Sequence, residues 1–114
     1  AIEIVKKKHP ITKVLSDWAT INEELYNNVQ IFESANGLAK GFQHQKERKL
    51  KNGKVTPAQD AEAVVVWTNE YHDTRVFSTT IGHYDETVAD DRYLDLVTRG
   101  LLWSCKKLND NYLK

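Results

Sequence analysis

The stretch VVVWTNEYHDTRVFSTTIGHYDETVADDRYLDLVTRGLLW, residues 64–103, carries the strongest fold signal in the chain. Two segments, Ala63–Glu70 and Arg75–Ile81, are rich in Val, Trp, Phe and Thr. The polar segment Tyr71–Thr74 separates them. This pattern predicts a β-hairpin. A Gly82-His83 corner follows, and then an amphipathic helix begins. A corner that places a His and carboxylates between a strand and a helix is a common ligand position in α/β proteins.

The helix after this corner has clear start and packing signals. Asp90 or Asp91 is expected to cap its amino end, where a carboxylate also favours the positive end of the helix dipole. Gly100 inside the helix predicts close packing against the sheet, since glycine otherwise costs ~1 kcal/mol there. Four apolar residues at helical spacing predict the buried face: Leu94, Val97, Leu101 and Leu108, with Cys105 beside them.

The amino-terminal half has weaker patterns. Residues 1–8 alternate as a strand would, and the His9-Pro10 pair ends it. We expect a short helical turn over residues 16–25 and a short strand over residues 29–33. Residues 40–57 contain few apolar side chains and a basic run, which predicts a surface loop.

Composition narrows the functional classes. The chain has 114 residues, which is one domain or a piece of one. Its 16 basic and 16 acidic residues balance, so we expect neither a nucleic-acid partner nor binding to an anionic membrane. The basic run Lys46–Lys54 lacks interleaved aromatic residues and is better interpreted as a solvated loop. No apolar run approaches the ~20 residues that span a bilayer, and the single Cys105 excludes an internal disulfide.

Several short motifs resemble, in order and spacing, the ThuA-like or trehalose-utilisation family. The resemblance covers nearly the whole chain, and residues 40–61 are the part that matches poorly. Each motif is weak alone, but their order is fairly specific. The matching segments are HPIT at residues 9–12, EELY at 23–26, VWTNEY at 66–71 with RVF at 75–77, GH at 82–83 with Glu86, YLDL at 93–96 and TRGLLW at 98–103.

This resemblance implies a flavodoxin-like α/β sandwich related in fold to class I glutamine amidotransferases. It also implies a role in carbohydrate metabolism, with trehalose, another disaccharide or a 3-keto-sugar as ligand. Family members begin with further βα units that this chain lacks. We therefore expect residues 1–114 to be the carboxyl-terminal part of the domain, with a missing segment or a partner chain completing the sheet. The alternative is a non-catalytic interaction or assembly domain of a larger secreted bacterial protein. The sequence leaves the location open between the cytoplasm and the periplasm or exterior of a bacterium.

The candidate site centres on His83, which follows a glycine that allows close approach of a ligand. His83 and Glu86 are the candidate catalytic residues, with His83 moving a proton and Glu86 orienting it. Five further residues are candidate ligand contacts: His9, Glu24, Tyr26, Thr80 and Asp85. His9 and His83, with Glu24 or Glu86, also form a possible metal-ligand set if the fold brings them together.

Each of these residues has a simpler interpretation. His83 and Asp85 suit a turn and a helix cap, and Glu24 and Tyr26 suit a solvated helix with a packed ring. Trp67 is either an aromatic platform for a sugar or, more often in a strand, a core residue. Cys105 lies in a predicted helix without a nucleophile elbow, so an amidotransferase-type Cys-His pair is unsupported. His44 and His72 are expected to be surface loop residues.

Overall fold

The computed structural model describes residues 1–109 as one small sheet with two helices beside it, as the α/β class predicts. The elements are β1 (Ile2–Ile4), β2 (Asn36–Gln45), β3 (Arg48–Lys49), β4 (Val55–Thr56), β5 (Gln59–Tyr71), β6 (Thr74–Thr79), α1 (Asp85–Val88) and α2 (Asp91–Ser104). The order of strands across the four-stranded sheet is β1-β2-β5-β6, and all its pairings are antiparallel. Strands β3 and β4 form a separate hairpin.

The predicted hairpin is confirmed as β5 and β6. Tyr71 pairs with Thr74, so only His72 and Asp73 form the loop. Both loop residues have positive φ, 46° and 63°. A two-residue loop with positive φ at both positions matches the right-handed twist of the strands it joins, which explains the tight connection.

Three predictions in the first half of the chain are wrong. Residues 16–25 contain no helix, and residues 29–33 contain no strand. Residues 40–57 are not a loop, because β2 extends to Gln45 and the β3–β4 hairpin follows. The physical reason is that β2 is polar at its outer end but gains its hydrogen bonds and cross-strand pairs from β5. The paired strands extend away from the core, which fits the elongated dimensions of 58 × 30 × 22 Å.

The helix α2 packs on the sheet through a different face from the predicted one. Leu96, Gly100 and Trp103 are buried, whereas Leu94 is 46% and Leu101 is 62% exposed. Val97 and Leu108 are partly buried. The Phe77 ring of β6 lies directly against Gly100, where an added Cβ would be 2.5 Å from the ring. The predicted close packing at Gly100 is therefore confirmed, and Leu96 and Trp103 are buried together with Gly100.

The hydrophobic core is formed by side chains from the sheet, from α2 and from the irregular segment before β2. Ile4, Ile11, Leu38, Val66 and Leu96 are almost completely buried. The irregular segment before β2 is tied to the sheet at Trp18, whose backbone exchanges two hydrogen bonds with Ile2, of 2.7 and 3.1 Å. Neither helix within residues 1–109 has the length or apolar content to span a bilayer.

The predicted cap of α2 is confirmed at Asp90. Its side chain accepts a hydrogen bond of 2.8 Å from the backbone N–H of Arg92 and two more, of 2.9 and 2.6 Å, from the Arg92 guanidinium. These hydrogen bonds from the Arg92 side chain and backbone lower the pKa of Asp90 to about 2.

The low pKa of Asp90 predicts how an Asp90→Asn variant behaves with pH. Because the pKa is depressed in the folded chain, the charged cap stabilises the fold above the ordinary value near 3.8 and loses this effect as the pH falls through about 2. Asparagine still caps the helix but cannot form the ion pair. In thermal melts, the melting temperature of Asp90→Asn should be lower than that of the unmodified chain at pH 5–7. The two melting temperatures should be equal near pH 2. An Asp91→Asn variant is the control, and equal melts at every pH for Asp90→Asn would contradict the prediction.

Candidate functional site

The corner after β6 is shaped by Gly82. The backbone of Gly82 has φ of +115°, a conformation that side chains with a Cβ rarely adopt. A Cβ at this position would also lie 2.8 Å from the Tyr93 hydroxyl of α2. Glycine therefore lets the chain turn tightly over Tyr93, and this turn brings His83 to the surface between β6 and α1.

The carboxylate of Glu23 holds this corner from the other side. Glu23 Oε1 accepts a hydrogen bond of 3.1 Å from the backbone N–H of His83, and Oε2 accepts a longer one of 3.5 Å from that of Tyr84. The two partners are 60 and 61 residues away in sequence. Glu23 thus joins the irregular segment before β2 to the His83 corner.

The pKa of Glu23 is lowered by this arrangement. Partial burial raises the pKa, but the Thr87 hydroxyl and the N–H groups of Glu24, Tyr84 and His83 together lower it more. The Thr87 hydroxyl is buried and forms no hydrogen bond of normal geometry among residues 1–109. We therefore attribute the lowered pKa mainly to the N–H groups, and Glu23 is ionised at neutral pH.

Glu24, Tyr26 and His83 come together at the same corner. Glu24 Oε2 lies 3.3 Å from His83 Nδ1, and the same oxygen accepts a hydrogen bond of 3.3 Å from the Tyr26 hydroxyl. The negative charge of Glu24, above all, raises the pKa of Tyr26, which therefore keeps its proton. His83 and Glu24 are 44% and 49% exposed, so a ligand can reach both. A carboxylate beside an imidazole orients the ring, and this arrangement serves proton transfer and the binding of hydroxyl groups.

A pocket of about 270 Å³ lies beside this corner. Glu24 and Thr80, both expected ligand contacts, are among the residues that line it. The Thr80 hydroxyl is buried and has no hydrogen-bond partner among residues 1–109. A buried hydroxyl without a partner is uncommon, and it gives this wall an unused donor and acceptor.

Asp85 and Glu86 follow His83 as the first residues of α1, and both are exposed. Glu86 lines a separate small pocket with Trp18, Thr87 and other residues of that surface. Among the described residues it forms no ion pair with His83. The carboxylate that accompanies His83 in the structure is that of Glu24, not that of Glu86.

His9 is not brought to this corner. Its ring lies 5.4 Å from the Trp103 ring, and its Nδ1 accepts a hydrogen bond of 3.2 Å from the backbone N–H of Ile11. It lines a different pocket with Asn36, Thr68 and Trp103. Asn36 borders the pocket of His9, and Gly41 borders the pocket of Glu24. These two residues are five positions apart along β2, which is roughly 16 Å at strand geometry.

The expected pairing of His9 with His83 therefore does not form, because the strands place them at opposite ends of the sheet. Burial, followed by the charge of Arg75, lowers the pKa of His9, which is consistent with a neutral ring. Within residues 1–109, no group of three or more His, Cys, Asp or Glu side chains is arranged to hold a metal ion. Trp103 is a core residue, while Trp67 is only partly buried.

Two residues of this site were not recognised from sequence. Glu23 is adjacent to Glu24, and only the fold shows that it binds the backbone 60 residues later. His44 was expected in a surface loop, but it lies in β2 and lines the same pocket as Glu24. His44 lies at the outer, polar end of β2, where no alternation of apolar residues indicates a strand.

A family model described as trehalose utilisation matches residues 1–104. The chain belongs to the ThuA family. The matched range includes the residues of the corner described above, from Glu23 to Tyr93, together with strands β5 and β6 and helix α2. No curated protein and no solved structure matches the chain.

Proposed function

We propose that this ThuA-family chain binds a sugar at the corner formed by Glu24, Tyr26 and His83. The observation that carries the proposal is the shared oxygen of Glu24, 3.3 Å from both the His83 imidazole and the Tyr26 hydroxyl, beside an open pocket. Trehalose, another disaccharide or a 3-keto-sugar is the proposed ligand, in keeping with the family. Vicinal hydroxyl groups are donors and acceptors at once, and a carboxylate, a phenol and an imidazole offer both.

In a catalytic form of the proposal, His83 exchanges a proton with a hydroxyl group or with the carbon next to the keto group. Glu24 then orients the ring through its contact with Nδ1. Glu23 has a positioning role, since it holds the backbone of His83 and Tyr84. Asp85 and Glu86 are proposed as additional contacts at the exposed rim, where they open α1.

We further propose that the described sheet is part of a flavodoxin-like sandwich, completed by further βα units or by a partner chain. The support is a set of large apolar side chains exposed in the irregular segment before β2. Val14 is 57%, Ile21 is 51% and Phe32 is 73% exposed. Isolated surface apolar residues are ordinary, but several in one segment without helix or strand favour a surface that another element covers.

Sugar titration of the full chain tests the proposed site. Isothermal titration with trehalose, sucrose and their 3-keto forms should detect binding of at least one of them. His83→Ala should weaken that binding by about tenfold, the usual effect of losing one hydrogen bond.

His72→Asn is the matched control for this titration. His72 is exposed on the hairpin loop at φ of 46°, a conformation that asparagine tolerates, so the affinity should not change. Absence of binding for every sugar, or equal affinity in His83→Ala, would contradict the proposal.

A second candidate function is a non-catalytic assembly domain, which the exposed apolar segment also favours. It predicts self-association or a stable complex at micromolar concentration, measured by sedimentation velocity. Phe32→Ser together with Ile21→Ser should then reduce the associated fraction. A monomer at every concentration, combined with sugar binding at His83, would reject this alternative.

A further inference from the structure

A second histidine–carboxylate pair lies on the strands next to the proposed site. His44 Nδ1 is 2.5 Å from Asp60 Oδ1. The two residues are directly opposite each other in the β2–β5 register, so the ladder itself sets their geometry.

His44 lines the same pocket as Glu24 and Thr80. One wall of this pocket is the outer part of β2, which includes Gly41 and His44. The segment that carries Glu24 passes close to this wall, since a Cβ at Gly41 would lie 2.9 Å from Leu25 Cδ1. Glu24 of the first histidine–carboxylate pair and His44 of the second therefore border the same pocket, whereas their partners His83 and Asp60 are not among its lining residues.

The contact between His44 and Asp60 leaves one ring nitrogen available. Asp60 occupies Nδ1, and among residues 1–109 no hydrogen bond to Nε2 is present. A carboxylate on Nδ1 fixes the orientation of the ring and the tautomer, as it does for histidines that bind metals or substrates.

Folding stability gives little reason for this pair. The side chains of His44 and Asp60 are 62% and 83% exposed, and exposed ion pairs contribute little to stability. The neighbouring pair Lys40–Glu62, with 3.4 Å between its charged atoms, joins the same two strands, but neither residue borders the pocket. It therefore provides a matched comparison for a cross-strand pair without a ligand role.

We propose that His44 is a ligand-contacting residue of the sugar site and that Asp60 is its positioning residue. The imidazole Nε2 would bind a hydroxyl group of a disaccharide from the β2 wall, while Glu24 and His83 bind it at the corner. This inference rests on the proposed function and extends it to a ligand with hydroxyl groups on more than one side.

Calorimetric titration of the full chain with trehalose tests this inference through four variants. His44→Ala should weaken binding about tenfold, the effect of one lost hydrogen bond. His44→Gln, whose side-chain amide nitrogen approximates the Nε2 position, should stay within about threefold of the unmodified chain, whereas His44→Asn should resemble His44→Ala. Glu62→Gln should leave the affinity unchanged.

The role of Asp60 is tested in the same titration through a double-mutant cycle. Asp60→Asn should weaken binding about threefold in the unmodified chain and have no further effect in His44→Ala, because Asp60 acts through His44. Far-UV circular dichroism and melting temperature should remain unchanged, since both side chains are exposed.

The outcomes separate this inference from the proposed function. Weaker binding in Glu24→Gln with unchanged binding in His44→Ala would overturn the role of His44 and leave the sugar site in place. Equal effects of His44→Gln and His44→Ala would overturn the contact through Nε2. Absence of trehalose binding by the unmodified chain would overturn the proposed trehalose site and, with it, this inference.

Discussion

Gly82→Ala is expected to destabilise the chain by roughly 2–4 kcal/mol and to abolish sugar binding at the corner. The backbone at Gly82 has φ of +115°, which alone strains any residue with a Cβ. The added methyl group would also lie 2.8 Å from the Tyr93 hydroxyl and 3.1 Å from Cζ of the same ring. Relief of either strain moves the His83 backbone away from Glu23. Since a domain is stable by only about 5–15 kcal/mol, this loss is large.

Two variants separate backbone strain from the steric clash at Gly82. Gly53 also has positive φ, +80°, but a Cβ there would meet no atom within 4 Å. Gly53→Ala should therefore show the effect of backbone strain alone, and it should lower the free energy of unfolding by less than Gly82→Ala does. Tyr93→Phe removes the closest oxygen, so the double variant Gly82→Ala/Tyr93→Phe should recover part of the stability. Urea denaturation measures all of them, and a Gly82→Ala loss no larger than that of Gly53→Ala would refute this account of the corner.

Gly100→Ala is expected to destabilise the chain although alanine is the better helix former. The propensity gain is ~1 kcal/mol. Against it, the new Cβ would lie 2.5 Å from Cγ and Cδ1 of Phe77, near the base of the ring, where a rotation cannot move the atoms away. Overpacking of this kind costs roughly 1–3 kcal/mol, so the net effect should be a loss.

The packing partner of Gly100 provides the compensating variant. Phe77→Leu should lose stability alone, but in combination with Gly100→Ala it should lose less than the sum of the two single changes. Equilibrium denaturation of the four chains measures this coupling. Additive effects, or a gain in stability from Gly100→Ala alone, would show that α2 does not rest on Phe77.

Local signals predicted the part of the fold that forms between neighbours in sequence. The β5–β6 hairpin and the Asp90 cap depend on residues within the element or in its adjacent turn. The close packing at Gly100 was indicated by the glycine alone, although its partner Phe77 lies in β6. The buried face of α2 was predicted wrongly because two sets of residues in this segment have helical spacing. One set includes Leu94 and Leu101, and the other is Leu96, Gly100 and Trp103. Leu94 and Leu101 are more apolar than Gly100, yet the absence of a side chain at Gly100 is what allows the sheet to approach.

The candidate site was predicted only in part, and long-range contacts explain the difference. The Gly82-His83 corner was found from its own residues, and Glu24 and Tyr26 from the family pattern. Their association depends on Glu23 binding the backbone of residues 83 and 84, a contact that no local pattern encodes. The assignment of His9 to this site failed for the same reason, because only the strand order places it at the other end of the sheet.

Chemical-shift mapping of the full chain with trehalose, sucrose and their 3-keto forms is the most direct test of the corner as a sugar site. With at least one of these sugars, the backbone and side-chain resonances of Glu24, Tyr26, Thr80 and His83 should shift together and saturate at one ligand concentration. Shifts confined to the separate pocket of His9 and Trp103, or no saturable shifts with any of the sugars, would contradict the proposed site.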